Sequence, residues 1–173
     1  MSKKSNRAVT LIGVGIIAAA VAVIVSSMLA PRAMAKKSYR SAVALLSESG
    51  AGNVEYVSLL DPLGNGGPLS PADPEVRWTE AAEIAALCER FAALAQGARY
   101  GGDEDAVGGT WDPRLRFAAS EGNIDFYLRE QDICITRGNV RWVFSPRDAA
   151  AYTAWREELL ALLPAPEWEV SEQ

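Results

Sequence analysis

Apolar and polar residues alternate with a period of two in several short runs between Leu115 and Phe144. Turns separate the runs at Glu121-Gly122-Asn123, at Glu130 to Asp132 and at Arg137-Gly138-Asn139. Such alternation gives a strand one apolar face, and Gly and Asn favour the tight turns that join antiparallel strands. The region therefore predicts an antiparallel β-meander that is covered on one face.

Two other stretches have the spacing of amphipathic helices. We predict one helix near 79–96, capped by Thr79, and a second near 146–163, capped by Ser145. Their buried stripes are Ile84, Leu87, Cys88, Phe91, Leu94 and Ala95 in the first helix, and Tyr152, Trp155, Leu159, Leu162 and Leu163 in the second. Helices with such stripes need an apolar surface to cover, and the meander offers one.

The remaining segments are shorter or less regular. The stretch from Val54 to Leu60 predicts a strand, and residues 36–48 predict a short helix. The apolar face of that helix consists of Tyr39, Val43 and Leu46. We expect loops at Asp61 to Asp73 and at the acidic, glycine-rich stretch Gly101 to Thr110. The pattern as a whole predicts an α+β domain, with an antiparallel sheet of about four or five strands packed on one face by two helices.

A run of 23 residues without a charge, Ala8 to Ala30, precedes this domain. A helix needs about 20 apolar residues to cross a bilayer, so the run predicts a single transmembrane helix that contacts lipid. A cleaved signal peptide is the alternative, because Ala33-Met34-Ala35 resembles a cleavage site, and a buried core helix is a third interpretation. The basic residues on the two sides of the run are nearly balanced, and signal-like features favour an exported C-terminal domain.

The predicted organisation has four parts. Residues 1–35 form a membrane anchor or signal segment, and residues 36–52 form a stalk. The α+β domain spans 53–164, and an acidic tail follows at 165–173. After residue 35 the chain carries 13 Lys and Arg against 22 Asp and Glu, a net charge of −9. Such a charge repels phosphate backbones, so we do not expect a nucleic-acid partner.

Catalytic and metal-binding motifs are not evident in the sequence. The chain has no histidine, which removes the usual general base and the commonest metal ligand. A carboxylate pair such as Asp112 with Glu121 is not a specific signal. Of the two cysteines, Cys88 is predicted on the core face of a helix and Cys134 on the outer face of the sheet, so we expect no disulfide. We therefore predict no enzyme activity, cofactor or metal.

The outer face of the predicted meander is the one feature with unusual chemistry. Alternation places four arginines and one tyrosine there, beside Asp125, and these are Arg114, Arg116, Tyr127, Arg129 and Arg141. Paired guanidinium groups can bind an acidic partner. A solvated face with cross-strand Arg–Asp pairs is the alternative interpretation.

These observations predict a membrane-tethered, non-enzymatic binding or assembly module, with its domain on the extracytoplasmic side and a protein partner. Two alternatives remain. One is a secreted binding or inhibitor domain that is released by cleavage after Ala35. The other is a hydrolase of unrecognised type that uses carboxylates.

Overall fold

The computed structural model describes residue 26 and residues 29–47, 52–61, 75–105, 112–120 and 122–164. The predicted tail and loop 62–73 lie outside these residues, as does the predicted membrane span except for residues 26, 29 and 30. No helix within the described residues combines the length and the apolar character needed to cross a membrane. The chain forms two compact units, Met1–Lys37 and Ser38–Gln173, and the sheet belongs to the second unit.

The described residues form an α+β fold with three helices and one antiparallel sheet of seven strands. Helix α1 covers 29–47. The remaining elements are β1 (Val54–Leu60), β2 (Glu75–Trp78), α2 (Ala81–Ala95), β3 (Arg99–Asp105), β4 (Arg114–Ala119), β5 (Gly122–Leu128), β6 (Ile133–Arg137), β7 (Val140–Ser145) and α3 (Ala149–Leu160). The strand order is β2-β1-β4-β5-β6-β7-β3, so β4 to β7 form the predicted meander.

The sheet is wider than predicted. Strand β1 has the predicted bounds, but the expected total of about four or five strands was too small because β2 and β3 were missed. Strand β3 occupies part of the predicted loop Gly101 to Thr110, and its register against β7 shifts at Gly101. Glycine and acidic residues are depleted in strands, so local sequence argued against one here. Pairing with β7 overrides that local preference.

The core lies between the helices and one face of the sheet. The Phe91 ring of α2 lies 5.5 Å from Phe117, 4.6 Å from Phe126 and 5.5 Å from Trp155 of α3, measured between ring centroids. All four side chains are buried, and two of them come from the helical stripes read in the sequence. The predicted packing of these two helices on one sheet face is therefore present.

Both predicted helix caps were wrong. Helix α2 begins at Ala81 after Glu80, which makes no side-chain capping bond, so Thr79 is not the cap. Helix α3 is capped by Asp148, whose carboxylate accepts a hydrogen bond from the backbone N–H of Ala151 at 3.0 Å. Ser145 remains in β7, and its hydroxyl donates to Asp132 at 2.7 Å.

Helix α1 contributes to the core through the three residues predicted from its spacing, Tyr39, Val43 and Leu46, which are all buried. The Tyr39 ring stacks on Phe144 with centroids 3.9 Å apart, and its hydroxyl donates to the Ala95 carbonyl at 3.1 Å. Residues that we expected to form a stalk therefore pack as part of the domain.

Helix α3 also holds the turn between β5 and β6. The Tyr152 hydroxyl lies 2.9 Å from each of the carbonyl oxygens of Arg129 and Asp132. Arg156 Nε donates to the Leu128 carbonyl at 2.9 Å, and the Thr153 hydroxyl donates to Glu130 at 3.2 Å. These bonds fix the backbone from which the Arg129 side chain leaves the sheet.

Candidate functional site

The sheet face opposite the core, here called the outer face, carries the residues singled out in the sequence. In the β4–β5 register Arg114 lies opposite Tyr127 and Arg116 lies opposite Asp125, while the alternate residues of both strands are buried in the core. Arg141 of β7 lies on the same outer face, opposite Glu104 of β3. Arg129 follows β5 and also reaches Glu104, so all five candidate residues contribute to this face.

Arg114 and Arg116 share one carboxylate. Arg116 donates from Nε and a terminal nitrogen to the two oxygens of Asp125, both at 2.7 Å. This bidentate contact raises the pKa of Arg116 and fixes its guanidinium plane. Arg114 lies 3.9 Å from Asp125 Oδ2, beyond hydrogen-bond distance. Within the described residues its buried Nε has no hydrogen-bond partner.

Two residues that the sequence reading missed extend this group. Tyr56 of β1 and Arg77 of β2 lie on the outer face, with the Arg77 guanidinium carbon 4.6 Å from the centre of the Tyr56 ring. The group consisting of Tyr56, Arg77, Arg114, Arg116 and Tyr127 is called the Arg/Tyr patch below. Alternation in β1 offered a signal for Tyr56, whereas the four residues of β2 are too few to show a period.

The other arginines belong to a separate group. Arg129 contacts Glu104 at 2.8 Å, and Arg141 contacts Asp112 at 3.2 Å. Glu104 and Arg141 are register partners on adjacent strands, so the two pairs lie side by side. These four residues, Glu104, Asp112, Arg129 and Arg141, are called the ion-pair network below. Its formal charges cancel, and the Arg141 side chain is only 11% exposed.

The ion-pair network explains why Cys134 is not exposed. The register of β6 places Cys134 opposite Tyr127 and Val143 on the outer face, as its alternation predicted, yet its exposed fraction is 0%. Burial raises the pKa of its thiol to about 12, although Arg129 and Arg141 act in the opposite direction. Cys88 is buried in the core on α2, and burial raises its pKa to about 11. Both cysteines are free, as predicted.

The acidic residues of the described chain are engaged with cations and hydroxyls at several of the positions considered in the sequence. Asp112 binds Arg141, and its proposed catalytic partner Glu121 lies outside the described residues. Asp103 accepts a hydrogen bond from the Tyr100 hydroxyl, and Glu104 binds Arg129. Within the described residues, no group of three or more Cys, Asp or Glu side chains is placed to hold a metal ion.

The outer face therefore combines guanidinium groups and phenols beside a neutral ion-pair network. Guanidinium groups recognise carboxylates and phosphates through paired hydrogen bonds, and tyrosine combines apolar area with a hydroxyl. The geometry suits binding of an anionic group. Searches against known protein families, curated proteins and solved structures returned no match to this chain.

Proposed function

We propose that this chain is a membrane-tethered, non-enzymatic binding module whose domain lies on the extracytoplasmic side. The tether is the uncharged run Ala8 to Ala30, which has the length of a membrane-spanning helix. Anchoring at a surface raises the effective concentration of a weak binder, so a small patch is sufficient for function. The partner is a protein rather than a nucleic acid, because the chain after residue 35 carries 13 basic against 22 acidic residues.

The observation that carries the binding function is the Arg/Tyr patch. Arginine and tyrosine are enriched among the residues that dominate binding energy at protein interfaces. The patch lies on the sheet face opposite the aromatic core, where its polar groups are only partly buried. Arg116 is fixed by Asp125 and Arg77 lies over Tyr56, so ordering these side chains on binding costs less entropy.

The binding function is tested by capture of a partner from membrane extracts with the full-length protein in mild detergent. The variant Tyr56→Ala with Tyr127→Ala removes the aromatic part of the patch. The control Arg90→Gln changes an exposed ion pair between α2 and α3. We expect one protein to be captured by wild type and control and lost from the double variant. Equal capture by all three proteins, with unchanged thermal melting, would contradict the proposal.

The tether is tested by the mass of the mature protein. An intact Met1 supports the anchor, whereas a mature chain that starts at Lys36 supports the secreted binding domain suggested by Ala33-Met34-Ala35. Proteolysis of intact spheroplasts then tests orientation. Cleavage of the domain from outside supports export, and protection of the domain until lysis would place it in the cytoplasm.

A further inference from the structure

We infer that Arg114, together with Tyr127, binds a single carboxylate group of the partner protein, from an Asp or Glu side chain. This inference rests on the proposed binding function and assigns the chemistry of its central contact. It separates Arg114 from the other arginines of the outer face, each of which already contacts a carboxylate within hydrogen-bond or ion-pair distance.

The first argument is the ratio of guanidinium to carboxylate groups. Arg116 uses both oxygens of Asp125 at 2.7 Å, and Arg114 remains 3.9 Å from the same carboxylate. Arg114 thus keeps donors without acceptors, including Nε, within the described residues. A charged donor group in a partly buried site is unfavourable until an acceptor reaches it. One incoming carboxylate would give each of the two arginines a carboxylate of its own.

The second argument is the arrangement of donors around Arg114. Tyr127 lies directly opposite Arg114 on the neighbouring strand and on the same face. Side chains of such a pair have their Cβ atoms about 5 Å apart, so the phenol hydroxyl and the guanidinium group can donate to the same carboxylate. The Arg114 side chain is 15% exposed, which leaves a narrow approach for one group rather than a broad contact.

Charge favours a protein carboxylate over a lipid surface. Recognition of anionic lipid heads uses clusters of about four to eight Lys or Arg. The three arginines of the Arg/Tyr patch face Asp125 and Glu75, and the patch belongs to a chain segment with a large acidic excess. A single matched carboxylate requires no extended positive field, so repulsion from the rest of the domain has less effect on it.

The test uses two blocked six-residue peptides that differ by one residue, glutamate in the first and glutamine in the second. Each is titrated into the isotope-labelled full-length protein in detergent, and the arginine Nε–H resonances are followed by NMR. We expect the glutamate peptide to shift the Arg114 resonance and to bind at least fivefold more weakly to Arg114→Gln. The control Arg90→Gln should bind like wild type.

Equal affinity for the two peptides, or equal binding by wild type and Arg114→Gln, would overturn the inference. Binding of phosphatidylserine vesicles that depends on Arg114, without peptide binding, would also overturn it and assign the site to lipid. The proposed function is tested separately by the tyrosine double variant. If that variant loses the partner while Arg114→Gln keeps it, the carboxylate contact is wrong and the binding module stands.

Discussion

The Arg/Tyr patch and the ion-pair network occupy one face of the same sheet and use the same residue types, yet they differ in charge balance. In the network, Arg129 and Arg141 each contact their own carboxylate. In the patch, Arg114 and Arg116 share Asp125. The network is thus saturated by the protein itself, whereas the patch retains a donor group. Alternation placed the arginines, and the supply of carboxylates from other strands decided what each can do.

This difference assigns a structural role to one group and a binding role to the other. The network covers Cys134 and joins β3, β7 and the end of β5, which are distant in sequence. The patch stabilises β4 against β5 through one strong pair and otherwise faces solvent. The following predictions test this division, beginning with the largest expected effect.

Arg141→Leu should destabilise the domain most. It leaves Asp112 without its cation in a site where the Arg141 side chain is 11% and the Asp112 side chain 25% exposed. Breaking a buried pair costs about 3–5 kcal/mol, and partial exposure reduces this to roughly 2–3 kcal/mol. Urea denaturation measures the loss. A loss no larger than that of the exposed-pair variant Arg90→Gln would show that the network does not stabilise the fold.

Tyr152→Phe should cost about 1–2 kcal/mol, because it removes the hydroxyl that bonds the turn bearing Arg129. Hydrogen exchange should increase at the backbone N–H of Arg129, which donates to the Asp132 carbonyl within this turn. Exchange at β4 should change little, because that strand supports the patch and not the network. A uniform increase over the whole sheet would show that the turn is not a local element.

The two thiols should separate the network from the core. In the native protein both cysteines should react slowly with a thiol reagent at about pH 8, because burial raises their pKa values to about 11 and about 12. Glu104→Gln removes the carboxylate that holds Arg129, so Cys134 should react several-fold faster while Cys88 stays slow. Mass spectrometry assigns each modified residue. Equal acceleration at both cysteines would indicate general unfolding.

Alkaline pH should reduce stability through the same thiols. Their pKa values in the folded protein lie above the ordinary thiol value of 9.0, so the folded state retains protons that the unfolded state loses. The contribution is complete below about pH 9 and is lost as pH rises towards about 12. Cys134→Ala should flatten the stability profile in this range. An unchanged slope, measured by urea denaturation at each pH, would exclude a contribution from Cys134.

Arg114→Gln should have the smallest effect on stability, within about 0.5 kcal/mol, because Asp125 keeps its contacts with Arg116. Its effect should appear in binding instead. The contrast with Arg141→Leu is the sharpest test of the division between the two groups. A loss comparable to that of Arg141→Leu would move Arg114 into the structural group.

Local patterns in the sequence were sufficient to predict much of the fold. Alternation located β1 and the meander, and the spacing of apolar residues located the two helices whose aromatic side chains meet at Phe91. The cap of α3 was misplaced because Ser145 and Asp148 are both good caps, and the pairing of β7 with β3 decided between them. Strand β3 was missed because its support comes from that pairing and not from its own residues.

The candidate site was predicted in its members but not in its division. Alternation placed Arg114, Arg116 and Arg141 on one face, but it gives no information about which carboxylate reaches which arginine. Arg129 binds a glutamate 25 residues away and Arg141 an aspartate 29 residues away, and only the strand order brings them together. The burial of Cys134 depends on the same long-range contacts, so its pKa was equally beyond a local reading.

The position of β3 has a consequence for how the sheet is made. Strand β3 leaves the ribosome before any strand of the meander, yet it pairs with β7, the last strand of the chain. Its backbone groups therefore wait while the whole meander is synthesised, at about 5–20 residues per second. During that wait Asp103, Glu104 and Asp105 add charge to the unpaired strand, and charged residues at a strand edge discourage association with other chains. The acidic segment thus acts as a gatekeeper during biosynthesis before one of its members, Glu104, becomes part of the ion-pair network.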